Sequence, residues 1–326
     1  MAKTSSGWWP LIKILPAKTN FRFMRFAKAY LAASLIATIA AVVLTLMPLK
    51  PPCAGLNCGV DFRGGTVLEL QTQGAADLGR IRQVLNARGL GDVQVQTFGS
   101  PDQVRVLFEV PEGQETATVI AGAKQSLTQS LGQVQFLRTE GVSSKVSGEL
   151  FRNGALALAL GIGMMMVYIW FRFGLTFGIG AAVALVHDVL LTFGLFAVTG
   201  MEFTLTSVAA ILTIIGYSVN DTVVVLDRVR ENLRKYKRMP IADVIDLSIN
   251  ETLSRTAITG VTGLLALGVL AAFGGEGLFP FSIAMIFGIL VGTYSSFFVA
   301  APVLMFLGVK RGEVEVEPAP KAAPAR

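Results

Sequence analysis

FTLTSVAAILTIIGYSVNDTVVVL, residues Phe203 to Leu226, runs for 24 positions without a lysine or arginine and holds one carboxylate, Asp221. A helix crosses the hydrocarbon core of a bilayer with about 20 mostly apolar residues, so this stretch is long enough to span a membrane. Five more stretches meet the same test: about Ala29 to Leu49, Gly154 to Phe171, Phe173 to Gly200, Thr256 to Gly275 and Gly277 to Val309. Of the 326 residues 52% are hydrophobic and 15% charged, against about a quarter charged in soluble domains, which excludes an ordinary soluble enzyme. The expected class is an α-helical integral membrane protein with six transmembrane helices. The net charge of +6 fits membrane topology better than nucleic-acid binding, because the basic residues cluster beside the apolar runs.

Basic residues in short loops set the expected orientation. Residues 1–28 carry six and no acid, the loop 227–255 carries seven, Arg172 lies between the second and third spans, and Lys310 and Arg311 open the tail. All four regions are expected to be cytoplasmic. The first span, 29–49, is too long for a cleaved leader and lacks a small-residue cleavage site, so it reads as a retained anchor. The loops near Glu202 and Glu276 have no Lys or Arg, and residues 50–150 balance nine basic against ten acidic side chains. That segment is expected outside, followed by a five-helix bundle over 151–309 and a cytoplasmic tail over 310–326.

Residues 50–150 switch between strand and helix periods in a regular order. Strands are expected at Thr66 to Gln71, Val93 to Phe98, Gln103 to Val110 and Gln133 to Leu137, with helices at Ala75 to Arg88 and Thr116 to Leu131. The order βαββαβ predicts a ferredoxin-like α+β domain in the periplasm. RNA-binding domains share this order, but the aromatic signature of an RNA-binding sheet is absent. Cys53 and Cys58 lie where a disulfide is chemically permitted; spacing alone leaves a bond and two separate loop cysteines equally open. No Cys/His metal spacing, Walker motif or dinucleotide fingerprint occurs, so neither metal nor cofactor is expected.

The informative residues are the polar ones inside apolar runs: His187 and Asp188 in the third span, Asp221 in the fourth and Arg255 at the start of the fifth. Such groups are costly in lipid and are functional candidates by default. In the fourth span Thr206, Thr213, Tyr217, Asn220 and Asp221 fall on one helical face; Arg255, Thr259 and Thr262 repeat the pattern on the fifth, and Asp188 with Thr192 on the third. Asp221 and Arg255 are expected at similar depth, where they can pair. A buried carboxyl keeps its proton when a guanidinium moves away and gives it up when the guanidinium returns, which makes the pair a proton switch. A fixed interhelical salt bridge is the competing reading of the same two residues, and interhelical hydrogen bonding that of His187 and Asp188. Gly288 and Gly292 form a GxxxG packing site, and Ile241 to Leu253 reads as an interfacial amphipathic helix.

Four motifs carry a resemblance: Gly59-Val-Asp-Phe-Arg-Gly-Gly-Thr66, Val186-His-Asp-Val189, Ile215 to Asn232 and Thr252-Leu-Ser-Arg-Thr256. With the six-span topology they are similar to the SecF family, the smaller membrane subunit of the bacterial SecDF export complex, within the resistance-nodulation-division superfamily. The resemblance implies that Asp221 and Arg255 match the family's proton-pathway residues. It also implies a SecD partner supplying a further Asp, frequent association with YajC, and action beside the SecYEG channel on secreted preprotein chains, driven by the proton gradient. Two other classes remain as alternatives: an intramembrane hydrolase using Asp188 and Asp221 as acid and base, and a small-molecule proton antiporter. Neither a GxGD motif nor room for a drug pocket favours them.

Overall fold

The computed structural model describes residues 19–48, 53–90, 93–111, 113–275 and 277–309. The tail 310–326, the first eighteen residues of the basic N-terminus and Glu276 lie outside them. A 3-10 turn, Phe23–Phe26, leads into α1 (Ala27–Leu46). There follow α2 (Val60–Arg63), β1 (Gly65–Thr72), α3 (Leu78–Asn86), β2 (Gln94–Phe98), β3 (Ser100–Phe108), α4 (Thr116–Leu131) and β4 (Val134–Val142). The long helices come next: α5 (Ser144–Phe173), α6 (Leu175–Thr199), α7 (Leu205–Lys235), α8 (Ile241–Phe273) and α9 (Phe279–Ser295). A π-helical turn, Ser296–Ala300, joins α9 to α10 (Ala301–Phe306). Six segments are long and apolar enough to cross a membrane: Phe23–Leu46, Lys145–Phe173, Leu175–Thr199, Leu205–Lys235, Ile241–Phe273 and Phe279–Phe306.

The chain divides into two compact units, one of residues 45–160 with 199–208 and the other of the remaining helices. In the first, the sheet order is β2-β3-β1-β4 with every neighbour antiparallel. This is the split βαβ arrangement of a ferredoxin-like domain, as the element order predicts. Alternation along β3 sends Val104, Val106 and Phe108 inward to meet Leu68 and Leu70 of β1, Ile81 and Leu85 of α3 and Leu127 of α4. The α3 helix starts where the Asp77 carboxylate accepts the Arg80 amide at 3.0 Å.

Glu69, between Leu68 and Leu70, belongs to the opposite face. It is 2% exposed and pairs with Arg105 at 2.7 Å and Arg138 at 3.7 Å, its cross-strand neighbours in β3 and β4. Glu202 closes the cluster from 3.4 and 3.8 Å. Burial and the pull of Glu140, Glu69 and Glu202 act in opposition on Arg138, and the net effect holds its guanidinium above the ordinary arginine range.

Cys53 and Cys58 are joined by a disulfide. Beyond it, Gly59 takes its place because a Cβ there would lie 2.6 Å from the Thr204 methyl. Asp61 accepts the Leu205 amide at 2.9 Å, satisfying an orphan donor of the first turn of α7. Gly64 and Gly65 then turn the chain into β1 at φ of 76° and 98°, a region that glycine adopts without strain.

In the helical unit, α6, α7 and α9 bury the most surface. The GxxxG pair works as expected. A Cβ at Gly288 would lie 2.4 Å from Ile214, and one at Gly292 would lie 2.9 Å from Ser218, so α9 and α7 approach to backbone distance. Gly194 of α6 meets Ala41 of α1 in the same way.

The segment 227–255 is not an open loop: α7 continues to Lys235, and α8 begins at Ile241 behind Pro240. The helix expected to lie at the interface over Ile241 to Leu253 is instead the first part of α8. Its apolar residues Val244, Ile245 and Ile249 are buried, and its polar ones bind protein. Asp246 and Asn250 accept the amides of Met24 and Phe21 at 2.8 and 2.9 Å. Asn232 of α7 donates to Ser248 and Glu251 at 3.0 and 2.8 Å.

Candidate proton site in the helical unit

Two carboxylates lie buried among the long helices, and they are held in different ways. Asp188, at the midpoint of α6, is 1% exposed. One oxygen faces His187 Nδ1 at 2.9 Å; the other accepts the Ser218 hydroxyl of α7 at 2.5 Å and the Ser295 hydroxyl of α9 at 2.8 Å. Three helices therefore meet on one side chain. Burial of that carboxylate is compensated by hydrogen bonds, as a membrane interior requires.

Asp221 of α7 is 3% exposed, and its hydrogen-bond partner among the described residues is Thr293 Oγ1 of α9 at 3.5 Å. That bond is at the edge of hydrogen-bonding distance. One turn earlier on the same face, Tyr217 lies against Gly263 of α8, and its buried hydroxyl has no hydrogen-bond partner among the described residues. Thr256 Oγ1 of α8 is likewise buried without a partner among the described residues. Asp221 thus occupies a loosely satisfied polar seam, whereas Asp188 is pinned.

Arg255 of α8 lies within electrostatic reach of Asp221, but no ion pair of 4.0 Å or less joins them. The guanidinium is exposed in this chain and lines a polar cavity of about 420 Å³ with Arg172, Asp227, Arg228, Glu231 and Glu251. Asn220 is exposed on the opposite side of its helix from the buried residues. Thr259 bonds back to the Arg255 carbonyl at 2.9 Å, so its hydroxyl is used within α8. Sequence reasoning placed Asp188 and Asp221 correctly as buried polar groups. It missed Ser218, Thr293 and Ser295, which hold them; the signal was the small hydroxyl residues flanking the GxxxG of α9 and the residue three before Asp221. Among the described residues no cluster of three His, Cys, Asp or Glu side chains is arranged to hold a metal ion.

The family model described as "Protein export membrane protein SecD/SecF, C-terminal" matches residues 123–310, and the SecD/SecF GG motif matches 54–76, the stretch holding Asp61, Gly64 and Gly65. The protein translocase subunit SecF of Rhodobacter capsulatus is 43% identical over 324 residues, covering 95% of this chain and 96% of that protein. The SecF subunit of Rickettsia bellii is 41% identical over 303 residues, covering 93% and 98%. A crystal structure of SecDF from Thermus thermophilus, described as a translocon-associated membrane protein, aligns with a TM-score of 0.77 at 32% identity over 90% of this chain. The chain spans 39% of the length of that larger protein. On the extent of these matches, this chain belongs to the SecF family of protein translocase subunits.

Proposed function

We propose that this chain is the SecF half of a proton-driven export machine, a multi-pass protein of the bacterial inner membrane with both termini in the cytoplasm. With a SecD partner, in association with YajC and beside the SecYEG channel, it draws unfolded preproteins across the membrane. The observation that supports this reading is Asp221: buried in an apolar bundle, weakly hydrogen bonded, with Arg255 near but not paired. A carboxyl in that setting changes charge when the guanidinium approaches or retreats. Proton entry supplies about 2.3 kcal/mol per charge per 100 mV, enough to bias a two-state equilibrium by one to two orders of magnitude. Asp221 and Arg255 are the proton-pathway residues, with Asn220, Tyr217 and Thr259 beside them and a further Asp from SecD; His187 and Asp188 are accessory. The energy source is the proton gradient, without a cofactor.

The hydrolase reading fits less well. Asp188 is 1% exposed, accepts two hydroxyls and faces an imidazole, an arrangement that ties helices together rather than presenting the carboxyl to a substrate. The test is Asp221→Asn in membrane vesicles with a defined proton gradient. Gradient-dependent translocation falls at least tenfold while the variant still co-purifies with SecD; undiminished translocation overturns the proposal.

A further inference from the structure

A guanidinium that is not beside Asp221 has to rest somewhere, and the depths of the side chains show where. The antiparallel α7 and α8 meet at Tyr217 with Gly263, at Arg228 with Glu251 and at Asn232 with Ser248. Counting between these pairs puts Thr259 opposite Asp221, and Arg255 opposite Val224 and Val225, one helical turn nearer the link at 236–240. Asp227 lies less than a turn beyond that level. The two aspartates are about 9 Å apart along α7 and about a third of a turn apart around it. Asp221 therefore faces Thr293 of α9, whereas Asp227 opens on the polar cavity of about 420 Å³ that Arg255 also lines.

The carboxylates of that cavity are unequally engaged. Arg228 takes Glu231 at 2.7 Å and Glu251 at 2.9 Å, and Glu251 also accepts Asn232 at 2.8 Å. Asp227 has Arg172 of α5 at 3.4 Å, with both side chains about half exposed. An ion pair that long and that wet contributes little. Among the described residues, Arg255 has no carboxylate within 4.0 Å. The least engaged anion and the unengaged cation of the cavity are thus Asp227 and Arg255, at nearly the same depth.

We propose that Asp227 is a positioning residue: the carboxylate on which the Arg255 guanidinium rests when it withdraws from Asp221. This rests on Asp221 and Arg255 being the proton-pathway pair. A guanidinium keeps its charge at every physiological pH, so moving it away from one anion with no second one in reach is costly in a bundle of apolar helices. A nearby alternative makes its position two-fold, beside Asp221 when that group is ionised and beside Asp227 when it is neutral. From α5, Arg172 tunes the balance because it competes with Arg255 for the same carboxylate. Asp227 acts through Arg255 and carries no proton itself.

The complex of the full chain with its SecD partner is titrated by infrared difference spectroscopy, following the carboxylic C=O band that Asp221→Asn removes. Asp227→Asn keeps the shape, removes the charge and leaves the guanidinium at Asp221; half-protonation is expected to move about one pH unit toward acid. Arg172→Gln, which frees Asp227 for Arg255, moves it toward alkali. In an Arg255→Gln chain both shifts shrink to less than about a third, because their carrier is gone. Equal shifts with and without Arg255 mark plain through-space charge and overturn the proposal. So does the absence of a shift in the Asp227→Asn chain, which gives the resting place to a carboxylate of the partner. The band is read without transport, so this outcome is separate from whether Asp221→Asn abolishes export.

Discussion

The Ser295 hydroxyl of α9 sits 2.8 Å from the Asp188 carboxylate of α6, which also accepts Ser218 of α7. Replacing Asp188 by Ala leaves two hydroxyls and an imidazole without their shared acceptor. A buried polar group left without its partner costs about 1–3 kcal/mol. Asp188→Ala is expected to lower the thermal unfolding midpoint in detergent sharply, whereas Asp188→Asn, which keeps the shape and one acceptor, loses roughly half as much. Equal stability of the Ala variant and the unaltered chain contradicts the role of a three-helix fastener.

Gly288 of α9 has no room for a methyl group beside Ile214. Gly288→Ala is expected to destabilise the helical unit by about 1–3 kcal/mol through overpacking. Ile214→Ala in the same chain opens the space and recovers part of the loss, a coupling that a double-mutant cycle in detergent measures.

Glu69 is the buried anion between Arg105 and Arg138. The arginines are about one-fifth exposed, so water relieves some of the loss, and Glu69→Ala is expected to cost about 2–4 kcal/mol in the α+β unit. Local amide exchange in β1, β3 and β4 reads this directly. Exchange there unchanged by the substitution places the stability of the sheet in its other, apolar face.

Asp102, at the β2–β3 turn, accepts hydrogen bonds from Ser100 and Gln71, and these hold its carboxyl below the usual aspartate range. A folded-state value below the unfolded one gives stability that is present above the unfolded pKa of about 3.9 and is lost as pH falls through the folded value. Exchange of the β2–β3 hairpin amides is expected to quicken on acidification below about pH 4. Asp102→Asn removes that dependence; a variant with the same acid response assigns it to another carboxyl.

The six spans and the βαββαβ order were legible because each rests on a periodicity that the sequence carries over many residues. Hydropathy marks where lipid contact ends, not where a helix ends. For this reason α7 and α8 outrun their apolar stretches, extended by Arg228, Asn232 and Glu251, which make their contacts with each other beyond the apolar run. Burial of Asp221 followed from its place in an apolar run, but its separation from Arg255 did not. Spacing fixes the face and approximate depth of a side chain, while a long guanidinium chooses among several carboxylates at similar depth. Ser218, Thr293 and Ser295 were illegible for a related reason: small hydroxyl residues are common in membrane helices, and only the tertiary fold brings these three to the two aspartates.

The short link at 236–240 has a mechanical consequence. On either side of it Arg228 and Glu251 meet at 2.9 Å, and Asn232 grips both Ser248 and Glu251. The two helices bearing Asp221 and Arg255 are thus riveted together below those residues, like the arms of tongs. Any change in the gap between the two charges is a swing about that rivet rather than a slide, and the farther a point lies above the rivet, the more a small angular opening is magnified.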